Sequence, residues 1–257
     1  MLAVRSLAFN TAFYVVTALF AIVGLPVLVS QKATIRFAKA WGRTIIWLLR
    51  VIAGTRVDFR GLDTIPAGPL LIAAKHQSTL ETLALTIPFD RFAYVLKREL
   101  MWIPLIGWYL GRSGMVPIDR AKGARTMAKL NEAAAQAIRE GRQLIVFPEG
   151  TRRAAGAPPA YKQGLSHLYV ALGVPCVPVA LNSGLYWRRH GFRRMPGTCP
   201  IEFLPAIQPG LGRTDFLELV QQRIESASDA LLAEGRADLA SQGLPVPVTV
   251  ASSVASS

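Results

Sequence analysis

The chain begins with a long apolar stretch. Between Arg5 and Lys32 it carries no charged residue, and residues 7–23 are almost wholly apolar before Gly24-Leu25-Pro26 interrupts them. About seventeen helical residues reach roughly 26 Å, a little short of the ~30 Å hydrocarbon core of a bilayer. Extension to Val29 would complete a span, so both a spanning and a half-inserted helix fit the pattern. A cleaved signal peptide is disfavoured, because the run is long and lacks a small-x-small cleavage site.

A basic amphipathic helix is predicted directly after this stretch. Five basic residues follow one another at spacings of four, three, four and seven, which predicts that they share one helix face. They are Lys32, Arg36, Lys39, Arg43 and Arg50. The intervening positions are mostly apolar, a pattern typical of helices that lie in a lipid interface. The alternative is a helix docked on the rest of the protein with a solvated charged face. The positive-inside tendency predicts a cytoplasmic location for these charges.

From residue 55 onward, short apolar runs alternate with helical patterns, which predicts an α/β domain. Strands are predicted at residues 57–60, 70–74, 92–96, 116–118, 143–147 and 176–181, and helices at 123–140, from Gly164 to 172, and at 215–233. The run Leu70–Ala74 is apolar throughout and suits a strand buried on both faces of a sheet. Residues 243–257 lack periodicity and predict a disordered tail. The predicted organisation is therefore a membrane-anchoring region at 1–54, a main domain at 55–242 and this tail.

Composition narrows the class of partner. Hydrophobic residues make up 51% of the chain, and Lys plus Arg outnumber Asp plus Glu by 29 to 16, giving a net charge of +13. Such a surface attracts polyanions, and the apolar excess favours an anionic membrane surface. Nucleic acid is disfavoured, because no zinc-finger spacing, RNP-type motif or recognition-helix pattern occurs. Cys176 and Cys199 are the only cysteines, which favours a reducing compartment.

A single histidine marks the end of the predicted central strand. His76 comes two residues after the run 70–74, and ligands of open α/β sheets gather at the carboxyl ends of strands. Ser78 and Glu81 match the S-x-x-E capping box, in which Glu81 reaches back to the helix start. On a second interpretation the Glu81 carboxylate turns to His76, fixes its tautomer and stabilises the imidazolium formed when it takes a proton. The spacing alone is compatible with both.

Three further segments follow the histidine in a characteristic order. They are Gly114–Arg120, Phe147–Arg152 and Val177–Ala180. Together with His76 and Glu81, at these separations, the set resembles the glycerolipid acyltransferases over residues 56–205. The family pattern for the first motif is His-x4-Asp. This chain carries Glu81 in place of the Asp, which keeps the charge and adds one methylene group.

The resemblance implies a fold, a reaction and a set of site residues. The fold would be a mixed sheet flanked by helices, with an N-terminal membrane-associated helical hairpin. The reaction would transfer a fatty acyl group from acyl-CoA or acyl-ACP (acyl carrier protein) to lysophosphatidic acid, giving phosphatidic acid, with no metal or other cofactor. His76 would be the base and Glu81 its partner. Lys97, Arg120 and Arg152 would neutralise the phosphate, and Glu149, Gly150 and Thr151 would shape the acceptor site.

Several alternatives stay open at this point. The acceptor would otherwise be a lyso-ornithine lipid or a lysophospholipid, and a rival class is a basic membrane-binding protein without chemistry. Residues 101–110 would dip into the bilayer, wall an acyl-chain tunnel or form ordinary core. The basic loop Trp187–Arg194 would meet lipid headgroups, coenzyme A phosphates or an acidic carrier protein, or remain solvated. The expected location is the cell inner membrane, with the catalytic domain on the cytoplasmic side.

Overall fold

The computed structural model describes residues 1–119 and 123–246 of the chain, apart from the side chains of 123–126. Within these residues, the strands are β1 (Thr55–Arg60), β2 (Leu70–Ala74), β3 (Phe92–Lys97), β4 (Val116–Ile118), β5 (Gln143–Val146), β6 (Cys176–Leu181) and β7 (Gly197–Phe203). They form one sheet in the order β1-β7-β6-β2-β5-β3-β4. β7 is antiparallel to β6, and the other neighbours are parallel. The predicted mixed sheet is therefore confirmed.

Helices cover both faces of this sheet. The helices described are α1 (Leu2–Val23), α2 (Gln31–Leu48), α3 (Leu80–Ala84), α4 (Ile106–Arg112), α5 (Gly123–Arg139), α6 (Gly164–Leu172), α7 (Ser183–Tyr186) and α8 (Arg213–Ser241). In β2, Leu71 and Ala73 pack in the layer of α5, α6 and α8. Leu70, Ile72 and Ala74 pack in the opposite layer, with α2 and α3. Every residue of β2 is buried, as predicted for this run.

The N-terminal hairpin packs along the main domain. α1 and α2 are joined by a short 3-10 turn at Leu25–Val29. Near the start of α1, Arg5 Nε donates to the Ile52 carbonyl oxygen at 2.6 Å. Near its end, the Tyr109 hydroxyl of α4 donates to the Ala21 carbonyl oxygen at 3.0 Å. α1 is therefore attached to the rest of the protein close to both of its ends.

The bounds of α1 differ from the predicted apolar helix at 7–23 with an extension towards Val29. α1 begins at Leu2 and has 22 residues, a length of about 33 Å. In the described part of the chain it is the one helix long and apolar enough to cross a membrane. The extension towards Val29 is wrong, because Pro26 lies in the first turn of a separate 3-10 segment. The additional length lies at the N-terminal end instead.

One of the five basic residues of α2 and the π-helical segment Leu49–Ala53 that follows it faces the protein interior. Lys32, Arg36, Arg43 and Arg50 are exposed, whereas Lys39 is buried. The Lys39 Nζ lies 2.6 Å from Oδ1 of Asp90, and this contact lowers the pKa of the Asp90 carboxyl. The prediction that all five share one face in the lipid interface is wrong at Lys39, because this side chain is buried against the main domain beside Asp90.

Two C-terminal elements also differ from prediction. β7 is absent from the predicted strands. Pro200 pairs with Asp58 of β1 and precedes the residues that pair with β6. α8 has 29 residues and extends beyond the predicted range 215–233 at both ends. Arg120 and residues 247–257 of the predicted tail lie outside the described residues.

Candidate active site

The predicted histidine lies at the carboxyl end of β2. The side chain of His76 is 13% exposed, and its ring stacks on Phe147 with the two centroids 3.8 Å apart. Nδ1 of His76 lies 2.9 Å from Oε1 of Glu81. Phe147 directly follows β5, the neighbour of β2 in the sheet. The structure therefore brings the predicted pair together and supports the imidazole from the adjacent strand.

The Glu81 carboxylate is fully buried and accepts hydrogen bonds at both oxygens. Its Oε1 accepts from the backbone N–H groups of Gln77 at 2.8 Å and Ser78 at 2.7 Å. Its Oε2 accepts from the Ser183 hydroxyl at 2.6 Å. A buried carboxylate without such donors would be strongly unfavourable. The same carboxylate reaches back to the helix start and contacts His76, so the contacts expected on the two interpretations occur together. The catalytic role of the pair remains a prediction.

These contacts determine which nitrogen of the imidazole carries the proton. An ionised carboxylate can only accept, so Nδ1 of the neutral His76 donates to Glu81. Nε2 is then left as an acceptor. An imidazole held in this tautomer is a suitable general base for a hydroxyl group within hydrogen-bond reach.

Ser183 is a site residue that the sequence analysis missed. It lies at the start of α7, two residues after the end of β6, which is the other neighbour of β2. The next residue, Gly184, donates its backbone N–H to Oε1 of Gln77 at 3.0 Å. The signal was a polar residue at the carboxyl end of a buried strand, the same signal that identified His76.

The loop after β5 is joined to the histidine segment by a backbone hydrogen bond. Gly150 has a φ of +66°, a conformation that favours glycine, and its N–H donates to the Phe147 carbonyl oxygen at 2.9 Å. The backbone N–H of Arg153 donates to the carbonyl oxygen of His76 at 2.8 Å. This sharp turn holds Thr151 and Arg152 beside the imidazole.

A cleft of about 870 Å³ opens beside His76. Four of the predicted substrate-binding residues line it, namely Lys97, Gly150, Thr151 and Arg152. Lys162 and Arg189 also line it, and the sequence analysis did not assign either to the site. Much of the remaining wall is apolar, with Leu96, Leu100, Ile118, Leu130, Leu165 and Leu168. Cationic side chains beside apolar walls suit a ligand that has both an anionic group and a hydrocarbon chain.

Two predicted site residues are not placed in this cleft. Glu149 is buried and does not occur among the described residues that line the cleft; its Oε1 lies 3.2 Å from Nζ of Lys75. Arg120 lies outside the described residues, although the preceding residue, Asp119, does line the cleft. The roles predicted for both residues at the acceptor remain predictions.

Arg152 is a partly buried cationic group in the wall of the cleft. Burial lowers the pKa of its guanidinium, as does the charge of Arg189, whereas the negative charge of Glu81 raises it. Nη1 of Arg189 donates to the Arg152 carbonyl oxygen at 3.2 Å. The basic loop Trp187–Arg194 therefore contributes one arginine to the cleft.

A second, apolar cavity of about 230 Å³ adjoins the cleft. Its wall comes from the N-terminal hairpin, α3 and α4, and includes Phe20, Phe37, Leu83, Ile106 and Leu110. It shares Trp41, Thr82, Tyr94, Ile106 and Leu110 with the cleft. Part of the predicted segment 101–110 thus walls an apolar cavity next to His76. In the described part of the chain, no cluster of three or more His, Cys, Asp or Glu side chains is arranged to hold a metal ion.

Comparison with known proteins shows the family to which this chain belongs. The family model named Acyltransferase matches residues 56–182. A 1-acyl-sn-glycerol-3-phosphate acyltransferase of Pseudomonas aeruginosa is 38% identical over 205 residues, which cover 79% of each chain. The mouse 1-acyl-sn-glycerol-3-phosphate acyltransferase alpha is 30% identical, over 77% of this chain and 71% of its own. This chain belongs to the acyltransferase family and is an acyl-transferring enzyme.

The fold is also found in a solved structure. The crystal structure of the 1-acyl-sn-glycerophosphate acyltransferase from Thermotoga maritima matches with a TM-score of 0.75 and 21% identity. The match covers 90% of this chain and 98% of that one.

Replacement of Glu81 by Gln tests the pair directly. The amide keeps the shape but removes the charge that stabilises an imidazolium, and its NH₂ group cannot accept from the surrounding donors. We expect kcat to fall by about 10²- to 10⁴-fold. Glu81→Asp restores a carboxylate with shorter reach and should retain partial activity. Glu140→Gln on the surface is the matched control, and a Glu81→Gln variant as active as this control would contradict the pairing.

Replacement of Ser183 by Ala tests the support of the carboxylate. Loss of a hydrogen bond to a charged group is worth about 1.5 to 3 kcal/mol, so we expect kcat to fall by about tenfold or more. KM for the acceptor should change little, because Ser183 contacts Glu81 and does not line the cleft. Ser166→Ala, another buried serine, is the control. Equal kcat in the two variants would show that Ser183 does not position Glu81.

Proposed function

We propose that this enzyme transfers a fatty acyl group from a thioester to the sn-2 hydroxyl of lysophosphatidic acid, giving phosphatidic acid. The observation that carries this proposal is that His76, paired with Glu81 through Nδ1, lines a cationic cleft that shares part of its wall with an apolar cavity. A lysophosphatidic acid molecule has the matching parts: a phosphate, a hydroxyl and one acyl chain. The names of the related proteins support the same acceptor.

In the proposed mechanism the acceptor hydroxyl attacks the thioester directly. Nε2 of His76 takes the hydroxyl proton as the oxygen forms a bond to the carbonyl carbon. When the tetrahedral intermediate collapses, the carbon–sulfur bond breaks and the imidazolium returns the proton to the departing sulfur. Glu81 stabilises the imidazolium between these two steps. This sequence requires no acyl-enzyme.

The phosphate of the acceptor is assigned to the cationic part of the cleft. Arg152 is the principal candidate, because a guanidinium places two donors on adjacent phosphate oxygens. Lys97, Lys162 and Arg189 add positive charge around it. Arg120 is proposed for the same role from its motif. We assign Gly150 and Thr151 to the acceptor site, whereas the burial of Glu149 favours an indirect role.

The acyl donor is proposed to be acyl-CoA or acyl-ACP, with no resident cofactor. Both present a thioester on a long arm that bears phosphate. Arg188, Arg189 and Arg193 are exposed on the loop next to the cleft. Such a loop suits either the phosphates of coenzyme A or the acidic surface of a carrier protein.

We further propose that the protein binds one leaflet of the cell inner membrane from the cytoplasmic side. The outer face of α1 exposes large apolar residues, namely Val4, Leu7, Tyr14, Val15, Leu19, Ile22 and Val23. Trp102 and Trp108 are 68% and 59% exposed. Trp108 lies on α4, which contacts the end of α1 through the hydrogen bond from Tyr109 to Ala21. Attachment of α1 to the domain near both ends favours a helix lying in the leaflet over one that crosses it. Exposed basic residues of α2 would meet anionic headgroups.

A panel of acceptors crossed with both donors tests the proposed reaction. Purified protein given lysophosphatidic acid and either acyl-CoA or acyl-ACP should release free thiol. His76→Ala should reduce turnover by about 10²- to 10⁴-fold, whereas His167→Ala should not. A lyso-ornithine lipid or lysophospholipid that outperforms lysophosphatidic acid would overturn the acceptor assignment. Full activity of His76→Ala would overturn the mechanism.

Replacement of Arg152 by Ala tests the phosphate assignment. An interaction made equally in the ground state and the transition state contributes uniform binding, so its loss should mainly raise KM. We expect KM for lysophosphatidic acid to rise by about tenfold or more, as for a charge-assisted hydrogen bond. Arg223→Ala on α8 is the control. An equal effect on a phosphate-free acceptor would contradict the assignment.

Replacement of both Trp102 and Trp108 by Ser tests the membrane surface. If these side chains enter the lipid interface, their loss should weaken binding to anionic liposomes by about tenfold or more, given the apolar area involved. The control is the double variant Val170→Ser with Leu211→Ser, which removes exposed apolar residues elsewhere. Liposome co-sedimentation at fixed ionic strength provides the measurement, and equal binding of the two variants would contradict the assignment.

A further inference from the structure

A buried ion-pair cluster that the mechanism does not use lies next to the catalytic histidine. Lys75 immediately precedes His76, and its side chain is 3% exposed. Nζ of Lys75 contacts both carboxylate oxygens of Glu225, at 2.7 Å and 2.8 Å. The same atom lies 3.2 Å from Oε1 of Glu149. The ring of Tyr161 faces Nζ with its centroid 5.9 Å away.

The three charged residues come from three separate parts of the fold. Lys75 lies at the carboxyl end of β2, Glu149 in the loop after β5, and Glu225 in the middle of α8. α8 lies beyond residues 56–182, the range matched by the family model. A helix outside that range is therefore joined by one ammonium group to both loops that form the site.

Because the cluster is buried, each charged group in it depends on the others for neutralisation of its charge. Burial raises the pKa of the Glu149 carboxyl, whereas Lys75 acts in the opposite direction and favours its ionised form. Arg153 Nε lies 3.7 Å from the same carboxylate, and the Arg153 N–H is bonded to the His76 carbonyl oxygen. Removal of Lys75 would leave two carboxylates without their shared cation, whereas removal of the Glu225 charge would leave Lys75 paired with Glu149 alone and break its ion pair with α8. Both changes favour movement of the attached loops.

We infer that Lys75, Glu149 and Glu225 are positioning residues, through which α8 fixes the loop of residues 147–153 against His76. They set the distance from Nε2 of His76 to the anion-binding side chain of Arg152 without contacting substrate themselves. The motif residue Glu149 then acts through Lys75 rather than at the acceptor. In its kinetic consequence this inference rests on the proposed function, whereas its structural consequence can be measured without any substrate.

The variant Glu225→Gln tests the inference, because it removes the α8 charge and keeps the side-chain shape. A misplacement of about 1 Å can cost 10²-fold in rate, so we expect kcat to fall by about 10- to 100-fold. KM for lysophosphatidic acid should rise less than in Arg152→Ala, since the arginine is displaced but still present. Glu234→Gln is the matched control on the same helix, because Glu234 pairs with Arg60 at the surface.

Two further measurements separate positioning from a general loss of stability. In the double variant Lys75→Met with Glu225→Gln, kcat should be no lower than in Lys75→Met alone, because both changes interrupt the same connection. Hydrogen–deuterium exchange of the wild type and Glu225→Gln should show faster exchange at residues 75–78 and 147–153. The Glu234→Gln protein should exchange there like the wild type. Glu225→Asp replaces Glu225→Gln if the latter does not fold, with a smaller change in the same direction.

The inference is overturned if Glu225→Gln matches Glu234→Gln in exchange at both loops. It is also overturned if the losses in kcat multiply in the double variant, or if KM rises while kcat is unchanged. If the wild-type protein and Glu234→Gln fail to acylate lysophosphatidic acid, the proposed function fails. The exchange comparison still decides the positioning role in that case.

Discussion

The structure depends on how one buried negative charge is satisfied. Glu81 has no exposure to solvent, and its carboxylate accepts from two backbone N–H groups, from Ser183 and from His76. Together these donors offset the cost of removing the carboxylate from water. They also leave the carboxylate one orientation. The imidazole that it holds is therefore fixed in both its position and its tautomer.

The sheet order explains why these donors meet. β6, β2 and β5 are neighbours and run parallel, so their carboxyl ends lie side by side at one edge. That edge presents Ser183, His76 and the loop of residues 147–153 in succession. β3 and β4 continue the same edge with Lys97 and Asp119, which line the cleft. Helices on both faces cover the strands, so the polar chemistry is confined to this edge.

The N-terminal hairpin adds an apolar wall beside the polar edge of the sheet. Phe20 and Phe37 come from its two helices and line the apolar cavity beside the cleft. The same hairpin exposes apolar side chains on its outer face. One element can therefore meet lipid on the outside and provide a hydrocarbon-compatible wall on the inside. This arrangement accounts for the high apolar content of the first 29 residues without requiring a crossing helix.

The local pattern of apolar and polar residues predicted the strands that are short apolar runs. β2, β4 and β6 have the predicted bounds, since each is a short apolar run. The pattern failed where a tertiary contact determined the outcome. Lys39 is buried, and its ammonium group forms an ion pair with Asp90. β7 contains Pro200 and pairs with β1 over residues 197–202 and with β6 over residues 201–203.

The same distinction applies to the site. His76 and Glu81 were identifiable because they are close in sequence and follow a strand. Ser183 lies 102 residues from Glu81, and Glu225 lies 150 residues from Lys75, so no local spacing links either pair. Glu149 was assigned to the acceptor from its motif, but the sequence could not show that a lysine from another strand binds it. Long-range partners of charged groups are what the sequence left undetermined.

The protonation state of His76 is the most direct test of this account. The chain has three histidines, so ¹⁵N-labelled imidazole signals can be assigned by replacing His167 and His190 in turn. Two-dimensional NMR above the pKa of the ring should show His76 as the Nδ1–H tautomer, with a downfield Nδ1 proton that is lost in Glu81→Gln. A neutral His76 in the Nε2–H tautomer, or a spectrum unchanged by Glu81→Gln, would contradict the central role of the carboxylate.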